Sequence, residues 1–295
     1  MSKGYTLITG SEGFIGKNVT DYFLKKRIKV ICLDKVNKLK INKNKNLKFI
    51  KINLKNFTKV KNRLSKFKID CIIHLAAKAG IIDCHNNVDK AFEDNIISTM
   101  NVFQLAEKLK VKKIFYFSSL STFNFKDNPH FYALTKKFSQ DLALTQNQYY
   151  KKNSCCINLS NVYGEHSQKK KSFIHMMLKA EMSKKELKVY NYGNQKRDFL
   201  YVGDISKTLY YLSKKKSIPH QFNLCTSRLA TLKDAIKLYQ KICNGRLKFK
   251  FYGSQKNYKE PNEIKSIRNT KGVKLTNLQL GLIKSRNFYI RNFKK

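Results

Sequence analysis

An α/β fold with a doubly wound parallel sheet is the class this sequence predicts, on three observations. Short apolar or β-branched runs alternate with amphipathic stretches through the first two thirds of the chain. A glycine-rich turn joins the first such run to the first amphipathic stretch. The 295 residues, 42% of them hydrophobic and 12% aromatic, supply apolar material for a full core. Residues 5–9 form the first predicted strand, and 14–26 the first helix, with Phe14, Ile15, Val19, Tyr22 and Phe23 on one face. Strands follow at 29–33 and 47–52, a helix at 57–67 and a buried strand at 69–75. A long helical pattern covers 89–109, then come a strand at 113–118, a helix at 131–150 and a strand at 155–159. Strand and helix in strict alternation place helices on both faces of a parallel sheet. After Gly164 the rhythm loosens. Helices are expected at 172–183 and 232–242, short strands at 187–190, 199–202 and 222–224, and a helix capped by Asp204 running to 213. The last fifty residues are polar, lysine-rich and weakly patterned.

The charge is unusual: 61 Lys and Arg stand against 19 Asp and Glu, a formal +42. A nucleic-acid or anionic-membrane binder would concentrate such charge in a basic helix or an aromatic-interleaved stripe. Here lysines are spread along the whole chain, and the runs at 169–171 and 214–216 read as solvated loops or helix ends. The reading is a basic solvated surface with no specific nucleic-acid partner. Cys32, Cys71, Cys84, Cys155, Cys156, Cys225 and Cys243 are odd in number and form no C-x-x-C pair. They read as buried thiols of a reducing compartment, and no metal site is expected. No apolar run has the length of a membrane span, and the first apolar run leads straight into the glycine turn rather than to a cleavage site. A cytoplasmic protein is the expectation.

The turn Thr9-Gly10-Ser11-Glu12-Gly13-Phe14-Ile15-Gly16 carries the first chemistry. Glycines at 10, 13 and 16 let backbone approach a pyrophosphate at the N-terminus of a helix. Asp34, 24 residues after Gly10, ends the second strand. A carboxylate there accepts from ribose hydroxyls and repels a 2′-phosphate, which predicts NAD rather than NADP.

From this point the sequence resembles the extended short-chain dehydrogenase/reductase family, the NAD-dependent nucleotide-sugar epimerases and dehydratases, whose fingerprint is T-G-x-x-G-F-I-G. The resemblance implies a Rossmann-type domain over 1–165, to which segments near 199–225 return. It also implies a smaller, mainly substrate-binding region over 166–295. It places Gly10, Gly13, Phe14, Ile15, Gly16 and Asp34 against the cofactor. Asn53-Leu54 stands where the family has Asp plus an aliphatic residue facing adenine, and the Asn oxygen is still an acceptor. Asp70-Cys71-Ile72-Ile73-His74-Leu75-Ala76-Ala77 is similar to the family's D-x-x-x-H-L-A-A, which sets Leu75, Ala76 and Ala77 beside the cofactor. His74 reads as a core histidine without a chemical role.

Tyr132-Ala133-Leu134-Thr135-Lys136 matches the family's Y-x-x-x-K. Four residues apart on a helix, phenol and ammonium share a face, and the charge is expected to lower the Tyr132 pKa toward a usable base. Tyr132 and Lys136 also contact the cofactor in this pattern. Val111 to Asn124 aligns with the family strand ending S-S-x-x-V-Y-G, which makes Ser119 the catalytic hydroxyl and Ser121 an auxiliary substrate contact. Thr122-Phe123-Asn124 replaces Val-Tyr-Gly, and Ser119 and Tyr132 lie only 13 positions apart, about half the interval usual in the family. Asn161-Val162-Tyr163-Gly164 resembles the N-V-Y-G motif, whose Asn touches the substrate, and Asn158 stands where relatives carry Arg. Residues 192–204 resemble G-x-x-x-R-D-F-x-x-V-x-D, in which Arg197 would clamp a sugar-nucleotide diphosphate.

The resemblance implies that Tyr132 takes the proton from the sugar C4 hydroxyl and that a 4-keto intermediate forms. Dehydratases of the family carry Asp-Glu after the catalytic hydroxyl. Leu120 and Ser121 occupy those positions and do not exchange protons at neutral pH. The expectation is therefore a C4 epimerase of a nucleotide-activated hexose, ahead of a keto-sugar reductase or dehydratase. A non-catalytic dinucleotide-binding regulator or a nucleic-acid binder is the alternative of another class. A homodimer is allowed.

Overall fold

The structure is a computed structural model describing residues 4–37, 44–126, 129–150, 153–168, 170–253 and 273–292. Residue 169 of the 169–171 run and residues 254–272 and 293–295 of the weakly patterned tail lie outside these. The chain divides into two compact units. One comprises Met1–Leu159 with Ile205–Asn223, the other Ser160–Asp204 with Leu224–Lys295.

The first unit opens with β1 (Tyr5–Thr9), α1 (Phe14–Lys25), β2 (Val30–Asp34), β3 (Leu47–Lys51), α2 (Phe57–Leu64) and β4 (Ile69–His74). The Asn56 side chain caps α2 by accepting from Lys59 N–H. Two short helices, α3 (Ile81–His85) and α4 (Val88–Phe92), lead into a π-helical turn at Glu93–Ile97 and then α5 (Ser98–Lys108). The single helix expected at 89–109 is thus interrupted by a wide turn, whose reason lies in the site below. β5 (Lys113–Ser119), a 3₁₀ turn at Leu120–Asn124, α6 (Phe131–Tyr150) and β6 (Asn153–Leu159) complete the alternation.

Later in the chain come β7 (Asn161–Tyr163), α7 (Phe173–Ser183), β8 (Leu187–Val189), β9 (Lys196–Arg197), β10 (Phe199–Tyr201), α8 (Val202–Lys214) and β11 (Gln221–Leu224). β11 completes a seven-stranded parallel sheet in the order β11-β6-β5-β4-β1-β2-β3. The order reverses at β1, so the C-terminal ends of β1 and β4 flank a switch point, the place where α/β sheets bind ligands. Parallel strands covered on both sides explain the near-continuous apolar runs. Leu7, Ile31, Leu33, Ile72, Ile114 and Tyr116 are buried in one cluster with Val102 and Leu105 of α5. All seven cysteines are buried thiols. Among the described residues no helix is long and apolar enough to cross a membrane.

The second unit has no large sheet. β7 pairs with β10, β9 with β12 (Ala230–Thr231), and β8 with β13 (Phe249–Phe251). α9 (Leu232–Ile242) starts with a reciprocal capping box between Thr231 and Asp234. α10 (Leu278–Asn292) was not visible in the sequence pattern, because polar contacts rather than an apolar stripe hold it. Arg286 Nη2 donates to Glu181 Oε1 of α7 at 2.7 Å and Nε to Oε2 at 3.0 Å, while the Tyr239 hydroxyl donates to the same carboxylate. The Tyr289 hydroxyl meets Ser167 Oγ at 2.9 Å and also His175 Nδ1. Asp204 is no cap. It lies inside the first turn of α8, and its buried carboxylate accepts from Thr276 N–H at 2.7 Å and Oγ1 at 2.8 Å.

Candidate active site

The glycine turn sits at the end of β1 and is shaped by contacts that exclude side chains. Gly10 has φ +65, and a Cβ there would lie 2.6 Å from Ala76 N and 2.7 Å from Ala76 Cα. At Gly16 a Cβ would meet Gly10 O at 2.1 Å. Gly13 precedes α1 as its N-cap without a side-chain cap, so the helix N-terminus is left open for an anion. Phe14 and Ile15 begin that helix. Asp34 accepts from Glu12 N–H (2.9 Å) and Val36 N–H (3.2 Å), which ties the end of β2 to the glycine turn and leaves further lone pairs on the carboxylate. Lys35 does not compete there, since its ammonium donates to Asp94 at 2.8 Å. Leu75 and Ala76 are bonded through their backbone N–H groups to Thr9, and with Ala77 they are half-buried at the end of β4. Asn53 is exposed, with its Oδ1 accepting from Lys55 N–H, and Leu54 is buried in the core cluster. A tight backbone cradle, an open helix N-terminus and a carboxylate beside it fit a dinucleotide.

A second group of side chains extends from β5 into α6. Ser121 donates to Ser119 Oγ through both its backbone N–H (3.2 Å) and its hydroxyl (3.0 Å), and Ser119 in turn hydrogen-bonds the Tyr132 phenol. Ser121 thus supports Ser119 from the 3₁₀ turn. Lys136 is buried, donates from Nζ to Phe117 O at 3.2 Å, and lies 5.9 Å from the Tyr132 ring centroid. Burial pushes the Tyr132 phenol up to about 12, a nearby Cys84 adds to the rise, and the Ser119 hydrogen bond offsets part of it. This differs from the expectation that Lys136 would lower it. Desolvation of a half-buried phenol outweighs an ammonium whose proton is directed at the Phe117 carbonyl.

Sequence reasoning missed Asn95. It lies in the π turn, 2% exposed, and its carboxamide accepts from Lys78 N–H at 2.6 Å and donates to Lys78 O at 3.1 Å and Thr135 Oγ1 at 2.9 Å. The wide turn lets one amide clamp the loop after β4 to the middle of the Y-x-x-x-K helix. The only available signal was an Asn between an acidic pair, Glu93-Asp94, and an apolar pair, Ile96-Ile97, which periodicity treats as noise. His74 is a core residue, between Thr9 Oγ1 (2.8 Å) and Thr99 Oγ1 (3.0 Å), with its pKa held down to about 3 by burial.

Arg197 and Asn161 belong to the second unit and line one cavity of about 390 Å³ with Gln195, Tyr190, Phe173 and Lys171. Asp198 positions this strand. Its buried carboxylate accepts from Ser160 Oγ (2.8 Å) and Thr226 N–H (2.9 Å), while Asn161 N–H donates to its carbonyl. Neighbouring residues on a strand face opposite sides, so burying Asp198 turns Arg197 outward to the cavity. The Arg197 guanidinium is half-buried and also donates to Lys196 O at 2.7 Å. The cavity combines apolar walls with cationic groups, as an anion carrying an apolar portion requires. Among the described residues no group of side chains has the makings of a metal site.

Residues 6–225 match the model of the NAD dependent epimerase/dehydratase family. A UDP-glucuronate 4-epimerase of Thermodesulfobacterium geofontis is 30% identical over 226 residues, covering 69% of this chain and 70% of that protein. Two solved structures share the fold. One is UDP-glucose 4-epimerase of Thermotoga maritima with UDP-glucose (TM-score 0.87, 20% identity, 98% of this chain and 99% of that one). The other is UDP-glucose 4-epimerase of Thermus thermophilus with NAD (TM-score 0.81, 18% identity, 98% and 99%). The chain belongs to the NAD-dependent epimerase/dehydratase family and is an enzyme of that family, with NAD as its cofactor.

Proposed function

We propose that the enzyme epimerises a nucleotide-activated hexose at C4 through a 4-keto intermediate. The observation that carries this reading is the Ser121–Ser119–Tyr132 hydrogen-bond chain beside buried Lys136, with no carboxylate at 120 or 121. Gly10, Gly13, Gly16 and Asp34 would hold NAD, with the ends of β1 and β4 against it. When bound, NAD supplies the two-electron acceptor for the hydrogen on C4. As the phenolate, the form that the Lys136 ammonium and the positive charge of bound NAD would favour over the neutral phenol of the free protein, Tyr132 takes the C4 hydroxyl proton as that hydrogen leaves, and returns it when the carbonyl is reduced from the other face. Ser119 holds the reacting oxygen by donating to it, with its own lone pairs occupied by Ser121. Leu120 and Ser121 offer no acid or base for removing the C5 proton and the C6 hydroxyl, so the keto sugar has no route to elimination. Arg197 matches a diphosphate, because a guanidinium presents several fixed donors to phosphate oxygens. The 4-epimerase named among the relatives supports the same reaction.

The test is turnover against a panel of UDP-, GDP- and dTDP-sugars, with product stereochemistry read by NMR. A C4-inverted product with no net NADH consumption is expected. Stoichiometric oxidation of NADH would make the enzyme a reductase instead. Tyr132→Phe must abolish turnover while leaving NAD binding within about twofold; general acid–base catalysis alone supplies about 10²–10⁴-fold. A variant within threefold of the parent would remove Tyr132 from the mechanism. Cytoplasmic placement and a homodimer belong to the same reading. The buried thiols support the first, and exposed Leu134 and Leu144 of α6 support the second, which sedimentation tests.

A further inference from the structure

The residue that starts the catalytic helix is a histidine. Ala133 N–H donates to His130 Nδ1 at 2.9 Å, and Leu134 N–H donates to His130 O at 3.1 Å. These two bonds define the N-cap position of α6, where Ser, Thr, Asp or Asn is the common choice. A serine would make the same bond with a far smaller side chain. The imidazole instead lies nearly parallel to the Tyr132 ring, 9° between planes and 6.0 Å between centroids. It is half-buried and stands beside the one phenol assigned to proton transfer.

The cap bond dictates what this ring does chemically. A nitrogen that accepts from a backbone N–H carries no proton, so the ring proton sits on Nε2. Partial burial favours the same neutral form by lowering the pKa. With Nδ1 engaged and Nε2 protonated, the ring has no site to take a proton and can act only as a donor. Among the described residues no hydrogen bond uses Nε2.

We propose that His130 is a substrate-contacting donor: its Nε2–H bonds an oxygen of the hexosyl group beside the Tyr132 hydroxyl. The contact compensates for the short Ser119–Tyr132 segment, which offers few other side chains to frame a sugar. This rests on the nucleotide-sugar reading above. The donor selects for an oxygen with a lone pair at that position, whether hydroxyl, carboxylate or amide carbonyl, and disfavours a deoxy carbon.

His130→Ser separates the two roles, because serine keeps the cap and removes the donor. In the NAD-loaded enzyme, the best sugar nucleotide of the panel should bind about threefold to tenfold more weakly to this variant, the range one neutral hydrogen bond supplies. UDP, which lacks the hexose, and NAD should bind parent and variant equally, and the melting temperature should not move. His130→Ala, which loses the cap too, should melt earlier. In protein carrying ¹⁵N-labelled histidine, the His130 ring should show the Nε2–H tautomer, with Nε2 shifting on addition of the sugar nucleotide but not of UDP. Equal effects of His130→Ser on UDP and on the sugar nucleotide, or none on either, overturn the proposal; so does an Nδ1–H tautomer. A parent that binds NAD but no sugar nucleotide refutes the nucleotide-sugar reading and this proposal together. An active parent with an unaffected His130→Ser variant refutes this proposal alone.

Discussion

Gly10 and Gly13 are equivalent in the glycine motif, yet the structure predicts opposite consequences for replacing them with alanine. At Gly10 the backbone is left-handed, which costs an alanine about 1–2 kcal/mol. The new Cβ also meets Ala76 N at 2.6 Å and Leu75 C at 2.8 Å. Those are main-chain atoms of the β4 end, held to Thr9 by two hydrogen bonds, so relief requires moving the strand end. Overpacking of that kind costs about 1–3 kcal/mol. Gly10→Ala should therefore lose about 2–5 kcal/mol of a stability that is typically about 5–15 kcal/mol. At Gly13 the backbone is extended (φ −73, ψ 170), and a Cβ meets only Gly10 O, at 3.1 Å. Gly13→Ala should cost only about 1 kcal/mol in stability, because alanine is poorer than glycine at an N-cap but a single carbonyl has to give way. It should weaken NAD, because it places a methyl where the N-terminus of α1 would face the pyrophosphate in the proposed site. Urea unfolding of both variants, with NAD titration of the folded proteins, measures both effects. Gly10→Ala within 0.5 kcal/mol of the parent, or Gly13→Ala as unstable as Gly10→Ala, would refute the reasoning.

Three further outcomes are expected. Asp34→Ala should weaken NAD more than NADP and narrow the preference between them, which paired titrations measure; tighter NADP than NAD binding by the parent would contradict the role of this carboxylate. Arg197→Ala should raise the sugar-nucleotide Kd by tenfold or more, since charged hydrogen bonds contribute about 1.5–3 kcal/mol, and leave NAD unchanged; equal losses for both ligands would make the residue structural. Acid should destabilise the fold through His74, whose pKa of about 3 lies below the 6.5 of an unfolded chain. The native state then binds fewer protons, so this contribution is complete above pH 6.5 and is lost as the pH falls toward 3. At pH 5 the loss is about 2 kcal/mol, and His175, held near 4, adds to it. Urea midpoints between pH 7 and 5 test this, and a flat profile would be the refuting result.

The sequence by itself determined the alternating α/β architecture, because strands buried on both faces and helices buried on one leave different apolar periods. It also singled out the glycine turn, Asp34, Ser119, Tyr132, Lys136 and Arg197 as candidate site residues, because their neighbours in the chain form recognisable local patterns. What it left open depends on residues distant in sequence. Asn95 clamps Lys78 and Thr135, 17 and 40 residues away, and needs a π turn to reach both. The C-terminal helix α10 is held by Arg286 on Glu181, 105 residues earlier, so its own pattern is too weak to announce it. The Tyr132 pKa follows burial, which no spacing rule reports, and this is why the Y-x-x-x-K pattern predicted a fall where the folded protein has a rise. His130 belongs to none of the sequence motifs. Only the fold showed its ring parallel to Tyr132 and its Nδ1 committed to the cap, because tautomer and direction are set by partners in space.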